Sequence, residues 1–514
     1  MKDRSFNSMR NSTFALLDQG FEAIVSFIVR TVFIYSLGET YLGLNGLFND
    51  ILTMLSLTEL GFGTAIMYSM YKPMTENNEK KVAALLQLYK KIYWAVGVIV
   101  AVVGLVITPF LDFFISDMPD IPELILIYWL YLANTAVSYF FSYKRSILIA
   151  DQVVYITSVA QIITKFLQYI LQIIILLVFH QMVLYLVIQV CCTFLNNFAI
   201  SLYVDKNYKY LRKYKNEKLD LDTTNQIKTN VAAMFASKIS SVIVTSTDNI
   251  LISKFISVVT LGYYSNYTLF VNLIKTTFTK IFEAITGSVG NLLALDNSGK
   301  AKSTFNDIFF VNFWLDGFSS VCLFVLINPF ISLWIGESFQ LSIPVVFMIC
   351  LNMYMRLIRC TQLIFIDTYG LFTNVRMKCI AEAIINLTVS LILLVPLDMG
   401  IYGVLLGTFI SNIATSFWFE PHVIFRSRFD CSPAEYFKKF FLYFFVTILT
   451  GTVLHLFTVF VKCGNKIVDF IIYMVVCVVG INLIYYLLFS RTEEFVFLKE
   501  KMKNIIRRVM KKIR

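Results

Sequence analysis

The chain has 514 residues and a formal charge of +11, and 58% of its residues are hydrophobic whereas only 15% are charged. With a mean hydropathy of +0.71, this composition excludes an ordinary soluble protein and predicts a polytopic membrane protein. The positive charge does not indicate nucleic-acid binding, because the excess of Lys and Arg falls between apolar runs. Most of the nine cysteines lie inside apolar runs, so no disulfide framework is expected.

Apolar runs of membrane-spanning length follow one another along the whole chain. The predicted spans cover residues 13–37, 41–71, 82–110, 122–143, 152–179, 181–204, 227–256, 258–290, 304–334, 341–366, 371–397, 399–425, 434–461 and 466–490. The polar start carries no cleavage-site pattern, so the first run is expected to remain as a helix. The sequence therefore predicts an all-α fold of about fourteen transmembrane helices.

The segments between these runs alternate in charge. The segments of one set are rich in Lys and Arg, for example 72–81, 144–145, 206–218, 300–302, 426–439 and the tail 491–514. The intervening segments are acidic or neutral, with Lys462 and Lys466 as the main exceptions. Because basic loops stay on the cytoplasmic side of a membrane, this pattern predicts that both termini are cytoplasmic.

An internal repeat relates the two halves of the chain. The segment 40–43 (TYLG) matches 260–263 (TLGY), and 108–110 (TPF) matches 328–330 (NPF), at an offset of about 220 residues. Six spans separate the copies, so the two lobes would share one membrane orientation. The predicted organisation is an N-lobe (1–204), a cytoplasmic inter-lobe loop (205–226), a C-lobe (227–425), two extra helices (426–490) and a basic amphipathic tail on the inner leaflet (491–514).

Basic residues inside the apolar runs are the main functional signal. A charge at the centre of a spanning helix costs roughly 2.5–3.5 kcal/mol, so these side chains should face a shared, wet interior that suits an anionic substrate. The candidate substrate-binding residues are Arg30, Lys165, Lys238, Lys275, Arg356 and Arg359. Alternatively, each base pairs with a buried acid and only fixes helix packing. The acids available for this are Asp18, Glu22, Asp50, Asp248, Asp316 and Glu382.

Asp18 and Glu22 lie four residues apart, on one face of the first span. They could bind a coupling cation or a proton, or they could merely neutralise nearby bases. No P-loop occurs in the sequence, and the three histidines are scattered. We therefore expect no cofactor and no metal site, and any energy input would come from an ion gradient or from consumption of the substrate outside.

Several short motifs resemble one known family. The stretch 56–65 (SLTELGFGTA) followed by 71–73 (YKP) resembles the second-span signature of bacterial polysaccharide repeat-unit flippases, the Wzx-type members of the MOP exporter superfamily. The segments 264–267 (YSNY) and 150–152 (ADQ) are also similar to that family. The resemblance implies two parallel six-helix lobes, to which this chain adds two helices.

The resemblance also implies a function, which is movement of undecaprenyl-diphosphate-linked oligosaccharide from the inner to the outer leaflet of the bacterial plasma membrane. Such a carrier serves capsule or O-antigen synthesis by alternating access and is not an enzyme. The strongest candidates for diphosphate binding are Arg30 and Lys238, on repeat-equivalent spans, and Lys275 on the eighth span. Expected partners are membrane lipids and, at the tail, a polysaccharide polymerase or glycosyltransferase, with the chain itself a monomer.

Three alternatives stay open at this point. A lipid II flippase or a multidrug exporter of the same superfamily would share the fold, and the two extra helices favour the former. A membrane glycosyltransferase, polymerase or ligase is less favoured, because the longest outer loop, about 111–121, is too short for a catalytic subdomain.

Overall fold

The computed structural model describes residues 2–56, 62–115, 119–217, 219–220, 227, 246–293, 298–500 and 503. These residues form helices and connecting turns, and they contain no β-strand, which confirms the predicted all-α fold. The helices are α1 (Lys2–Leu55), α2 (Phe62–Thr75), α3 (Glu79–Ile107), α4 (Leu111–Phe114), α5 (Leu124–Ser142), α6 (Arg145–Ala150), α7 (Tyr155–Val178), α8 (Met182–Asn207), α9 (Tyr210–Lys213), α10 (246–255), α11 (Val258–Leu293), α12 (Ser298–Trp334), α13 (Ile343–Leu357), α14 (Cys360–Tyr369), α15 (Phe372–Leu394), α16 (Gly400–Ala414), α17 (Ser416–Ser427), α18 (Ala434–Phe460) and α19 (Lys466–Phe489).

Within the described residues, 11 helices are long and apolar enough to cross a membrane. One of them, α1, contains the first predicted span and the start of the second, which meet at Gly38. Gly38 has a φ of 84°, a conformation that glycine adopts without the steric cost other residues would meet. Of the predicted seventh span only 227 and 246–256 are described, and α11 covers the eighth. Fourteen spans and cytoplasmic termini stay predictions.

The chain divides into two compact units, 1–262 and 263–514. In the first unit α1 packs on α7, and α5 packs on both α3 and α8. Its core includes the buried rings of Phe48, Tyr128 and Tyr131, and the Tyr131 hydroxyl donates a hydrogen bond to Asn45 Oδ1. The lobe and loop boundaries predicted from the repeat stay predictions.

In the second unit α12 is the central helix, because α13, α18 and α19 all pack against it. Aromatic side chains fill this contact: the Phe313 ring stacks on the Tyr443 ring with a centroid separation of 4.1 Å and lies 4.9 Å from the Tyr485 ring. The two extra C-terminal helices, α18 and α19, are thereby anchored to this unit by its aromatic core. On its other side, α13 packs on α16, which packs on α15.

Two predicted spans are broken rather than continuous. The tenth is divided into α13 and α14 at Ile358 and Arg359, and the twelfth into α16 and α17 at Thr415. At the first break the buried Asn312 side chain donates hydrogen bonds to the carbonyl oxygens of Leu357 and Ile358, at 3.1 and 2.8 Å. An interrupted helix at membrane depth is tolerated when protein groups satisfy the freed backbone in this way.

The repeated glycines lie at a close helix contact inside the first unit. Gly43 on α1 and Gly262 on the first turns of α11 are both buried where these helices meet. A Cβ atom at Gly43 would lie 1.9 Å from the Val258 carbonyl oxygen, and one at Gly262 would lie 2.5 Å from the Glu39 carbonyl oxygen. The repeat therefore places a small residue on each partner of one backbone-to-backbone contact.

We expect Gly43→Ala to lower the free energy of unfolding by about 1–3 kcal/mol, since its methyl group would overlap backbone that cannot move aside. Gly20→Ala is the matched control, because a Cβ at Gly20 meets nothing within 4 Å. The measurement is the apparent melting temperature of each purified variant in detergent. Equal melting temperatures for the two variants would contradict the close contact.

Candidate functional site

A polar face runs along α11 in the second unit. Asn272, Thr276 and Thr279 are exposed and spaced so that they share one side of the helix. Thr276 Oγ1 donates to the Asn272 carbonyl at 2.8 Å, and Thr279 Oγ1 donates to the Lys275 carbonyl at 2.9 Å. Each hydroxyl oxygen keeps lone pairs that can accept further hydrogen bonds. In a membrane-spanning helix, such a face belongs toward water rather than toward hydrocarbon.

Lys275, half-buried on α11, is brought close to a second predicted cation. Arg356, in the last turn of α13, is the strongest electrostatic influence on Lys275, and the two groups repel each other. The other ionisable group that acts on Lys275 is the Cys360 thiol. Among the described residues, none of the ion pairs includes Lys275. We call Lys275 and Arg356 the cation pair.

Arg359, one helical turn beyond Arg356, has different surroundings. Its Nε and Nη2 donate to the two carboxylate oxygens of Glu420 at 3.0 and 2.6 Å. Its Nη1 lies 3.4 Å from Glu382 Oε1. Lys378 Nζ completes the group, at 2.8 Å from Glu420 Oε1 and 3.3 Å from Glu382 Oε2. These four residues, two cations and two carboxylates, form what we call the buried charge cluster.

The buried charge cluster joins three helices. Arg359 precedes α14, Lys378 and Glu382 lie on α15, and Glu420 lies on α17. The side chains of Glu420 and Lys378 are only 2% and 5% exposed. Each guanidinium nitrogen of Arg359 lies near a carboxylate: Nε and Nη2 donate to Glu420, and Nη1 lies 3.4 Å from Glu382. This arrangement is expected of a base that fixes helix packing. A substrate-binding role for Arg359 stays a prediction.

Sequence reasoning missed Lys378 and Glu420. A local signal existed for Lys378, since it stands four residues before Glu382 on one helix face. Glu420 has no such signal, because its partner Arg359 is 61 residues away in the chain. Its position within a predicted span was the only indication.

The first unit contains other predicted charges. Lys165 Nζ on α7 lies 3.2 Å from Glu22 Oε1 on α1 and 5.5 Å from the centre of the Tyr169 ring. Asp18 acts electrostatically on Arg145 and on Tyr169. Both members of the predicted acidic pair thus lie near basic groups, which agrees with charge neutralisation, and their coupling role stays a prediction.

Arg30 and Lys238 are the two remaining candidate cations. Arg30 is half-buried on α1 and interacts electrostatically with Tyr185 on α8. Lys238 lies outside the described residues.

The long apolar helices and their interior charges define a multi-pass membrane protein, and solved structures show which fold it has. The lipid II flippase MurJ in an inward closed conformation aligns with a TM-score of 0.64 at 16% identity, over 93% of this chain and 99% of that one. An inward-facing multidrug resistance MATE family transporter of the MOP superfamily aligns with a TM-score of 0.60 at 13% identity, over 79% and 95%. The Vibrio cholerae MATE transporter VcmN gives a TM-score of 0.57 at 14% identity, over 83% and 99%. The fold is that of the MOP superfamily.

The family is shown by a sequence model rather than by these structures. The model described as polysaccharide biosynthesis protein matches residues 8–286, more than half of the chain. The chain therefore belongs to the polysaccharide biosynthesis protein family, in agreement with the resemblance seen in its motifs. No curated protein matches the chain significantly.

Replacing Glu420 tests the buried charge cluster. We expect Glu420→Gln to lower the free energy of unfolding by about 3–5 kcal/mol, because it leaves Arg359 and Lys378 buried with one carboxylate between them. Glu435→Gln is the matched control: this residue also pairs with two lysines, Lys302 and Lys439, but its side chain is 48% exposed. Exposed pairs contribute about 0–1 kcal/mol. Thermal unfolding of both purified variants gives the comparison, and an equal loss in the two would contradict the structural role of the cluster.

Proposed function

We propose that this protein flips undecaprenyl-diphosphate-linked oligosaccharide repeat units from the inner to the outer leaflet of the bacterial plasma membrane, by alternating access. Its membership of the polysaccharide biosynthesis protein family and its MOP-superfamily fold support this proposal. The product would feed capsule, O-antigen or related surface polysaccharide synthesis. In this proposal the chain carries out transport and no covalent chemistry, its termini are cytoplasmic and its tail contacts the inner leaflet.

The observation that carries the proposal is the cation pair. Two like charges held near each other in a partly buried setting are unfavourable, and the cost grows as the local dielectric constant falls. The fold keeps Lys275 near Arg356, although no carboxylate is among the groups that act on Lys275. A diphosphate would relieve the repulsion, since Arg356 can donate two parallel hydrogen bonds to phosphate oxygens and Lys275 acts as a compact point charge.

The polar face of α11 suits the other part of the substrate. Asn272, Thr276 and Thr279 are exposed beside Lys275 and offer amide and hydroxyl groups to sugar hydroxyls. In this proposal Lys275 binds the diphosphate, and the polar side chains along the same face of α11 bind the sugars attached to it.

The remaining candidate cations are ranked by their surroundings. Arg30 and Lys238 stay proposed substrate contacts on the sequence argument. Lys165 and Arg359 come after them, because each is already near a carboxylate, at 3.2 Å from Glu22 and 2.6 Å from Glu420.

A second candidate is flipping of lipid II itself. The lipid II flippase aligns over 93% of this chain, whereas the first MATE transporter aligns over 79%. Both lipid substrates share the undecaprenyl diphosphate group, so the cation pair would serve either one. The choice between them depends on the attached sugars.

Removing one charge of the pair tests the proposed function. We expect Lys275→Ala and Arg356→Ala each to reduce surface polysaccharide about 10- to 100-fold, the loss that corresponds to one charge-assisted hydrogen bond of about 1.5–3 kcal/mol. The measurement is surface polysaccharide in cells that depend on this protein, together with the amount of protein inserted in the membrane.

Two variants serve as controls for that experiment. Lys275→Arg keeps the charge and should retain much of the activity, whereas Lys462→Ala removes an exposed charge between α18 and α19 and should retain all of it. Full activity in both alanine variants of the pair would refute the cationic site. Reconstituted vesicles carrying either labelled repeat-unit lipid or lipid II would then separate the two candidate substrates.

A further inference from the structure

An acidic residue lies buried in the second unit without an ion-pair partner. Asp316, on α12, has 0% of its surface exposed. Its Oδ1 accepts a hydrogen bond from Ser320 Oγ at 3.2 Å, whereas its Oδ2 is buried and has no hydrogen-bond partner. None of the ion pairs among the described residues includes Asp316, in contrast to Glu382 and Glu420.

The groups around Asp316 are hydroxyls and a thiol rather than cations. The titratable groups that interact with it electrostatically are Tyr354 from α13, Cys360 at the start of α14, and Tyr485 from α19. From α18, Thr447 places its Oγ1 3.4 Å from Tyr485 Oη. A Cβ at Gly317, the next residue on α12, would be 2.3 Å from that same Tyr485 hydroxyl. The absence of a side chain at Gly317 thus lets the hydroxyl approach the backbone beside Asp316.

A cleft leads to this polar group. It lies between α12, α13 and α18 and has a volume of about 60 Å³, and its walls are largely apolar, with Phe324, Phe347 and Phe444 among them. Ser320, Tyr354 and Thr447 also line the cleft. Because Ser320 is the hydrogen-bond donor to Asp316, the carboxyl group is one hydrogen bond away from the cleft.

Burial without a cation determines the chemical state of this carboxyl group. Burying one unpaired ionised carboxylate costs several kcal/mol, and a group so placed becomes neutral instead. A bound proton removes that cost and gives the carboxyl an O–H donor.

We propose that Asp316 is a proton-binding site that takes up one proton through the cleft and releases it during the transport cycle. The step forms one O–H bond on the carboxyl and transfers a single proton from water, with no oxidation or reduction. The role in the cycle rests on the proposed function, whereas proton binding by the carboxyl does not.

The position of Asp316 also gives the sign of the coupling. Cys360 interacts electrostatically with Asp316 on one side and with Lys275 on the other, so the carboxyl and the cation pair lie in one electrostatic neighbourhood. An ionised Asp316 would repel an anionic substrate held at the cation pair, whereas a protonated Asp316 would not. Protonation of Asp316 and anion binding at the cation pair therefore favour each other, as reciprocal linkage requires.

Infrared difference spectroscopy tests the proton site directly. Full-length protein in lipid nanodiscs at neutral pH is expected to show the C=O stretching band of a protonated carboxylic acid, which shifts in D₂O and is lost in Asp316→Asn. Asp398→Asn, which removes an exposed carboxyl group, is the control and should keep the band. A spectrum without that band, or a band that survives in Asp316→Asn, would overturn the proposal, as would stabilisation by Na⁺ that requires Asp316.

The link to transport has its own measurement. Binding of undecaprenyl diphosphate to the wild-type protein should weaken with rising pH by up to about tenfold per pH unit more than binding to Asp316→Asn, which carries no titrating group at this position. Comparing the two proteins cancels the titration of the ligand itself. The same pH dependence in both would refute the coupling. Failure of the proposed function would appear instead as absence of binding by both proteins, with the infrared band still present.

Discussion

Charges within apolar helices are stable only where protein or water surrounds them, and this constraint organises the second unit. Arg356 and Arg359 lie three positions apart in the chain, and they have different surroundings. Arg359 is enclosed by carboxylates in a cluster whose charges sum to zero. Arg356 lies near a second cation, Lys275, which stands on a helix with an exposed polar face. The first arrangement stabilises packing, and the second is suited to binding an anion.

The helix breaks bring together the residues of the buried charge cluster. Arg359 lies at the junction of α13 and α14, and Ser416 is the first residue after the junction of α16 and α17. Lys378 Nζ lies 2.8 Å from Ser416 Oγ, which in turn donates to Glu382. Asn312 satisfies the carbonyl groups freed at the first junction. The irregular backbone at the two junctions thus brings polar atoms from three helices together.

Much of the fold could be predicted from the sequence, because membrane-spanning helices need long apolar runs and those runs are visible locally. The breaks could not, since the one at Arg359 depends on Asn312 from a helix distant in the chain. The repeat located Gly43 and Gly262, but only the structure shows that they meet. Among the cations, charge and depth identified candidates without saying which have partners. Arg359 and Lys165 were equivalent to Lys275 in sequence, and their carboxylate partners lie far along the chain.

The proposed function depends on recognition of a lipid diphosphate by the cation pair. Its most direct test is the affinity of the purified protein in nanodiscs for undecaprenyl diphosphate compared with undecaprenol, which has the same chain and no phosphate. We expect the diphosphate to bind more tightly and this preference to be largely lost when both Lys275 and Arg356 are replaced by alanine. Equal affinities for the two lipids in the wild-type protein, or a preference that is unchanged in the double variant, would contradict it.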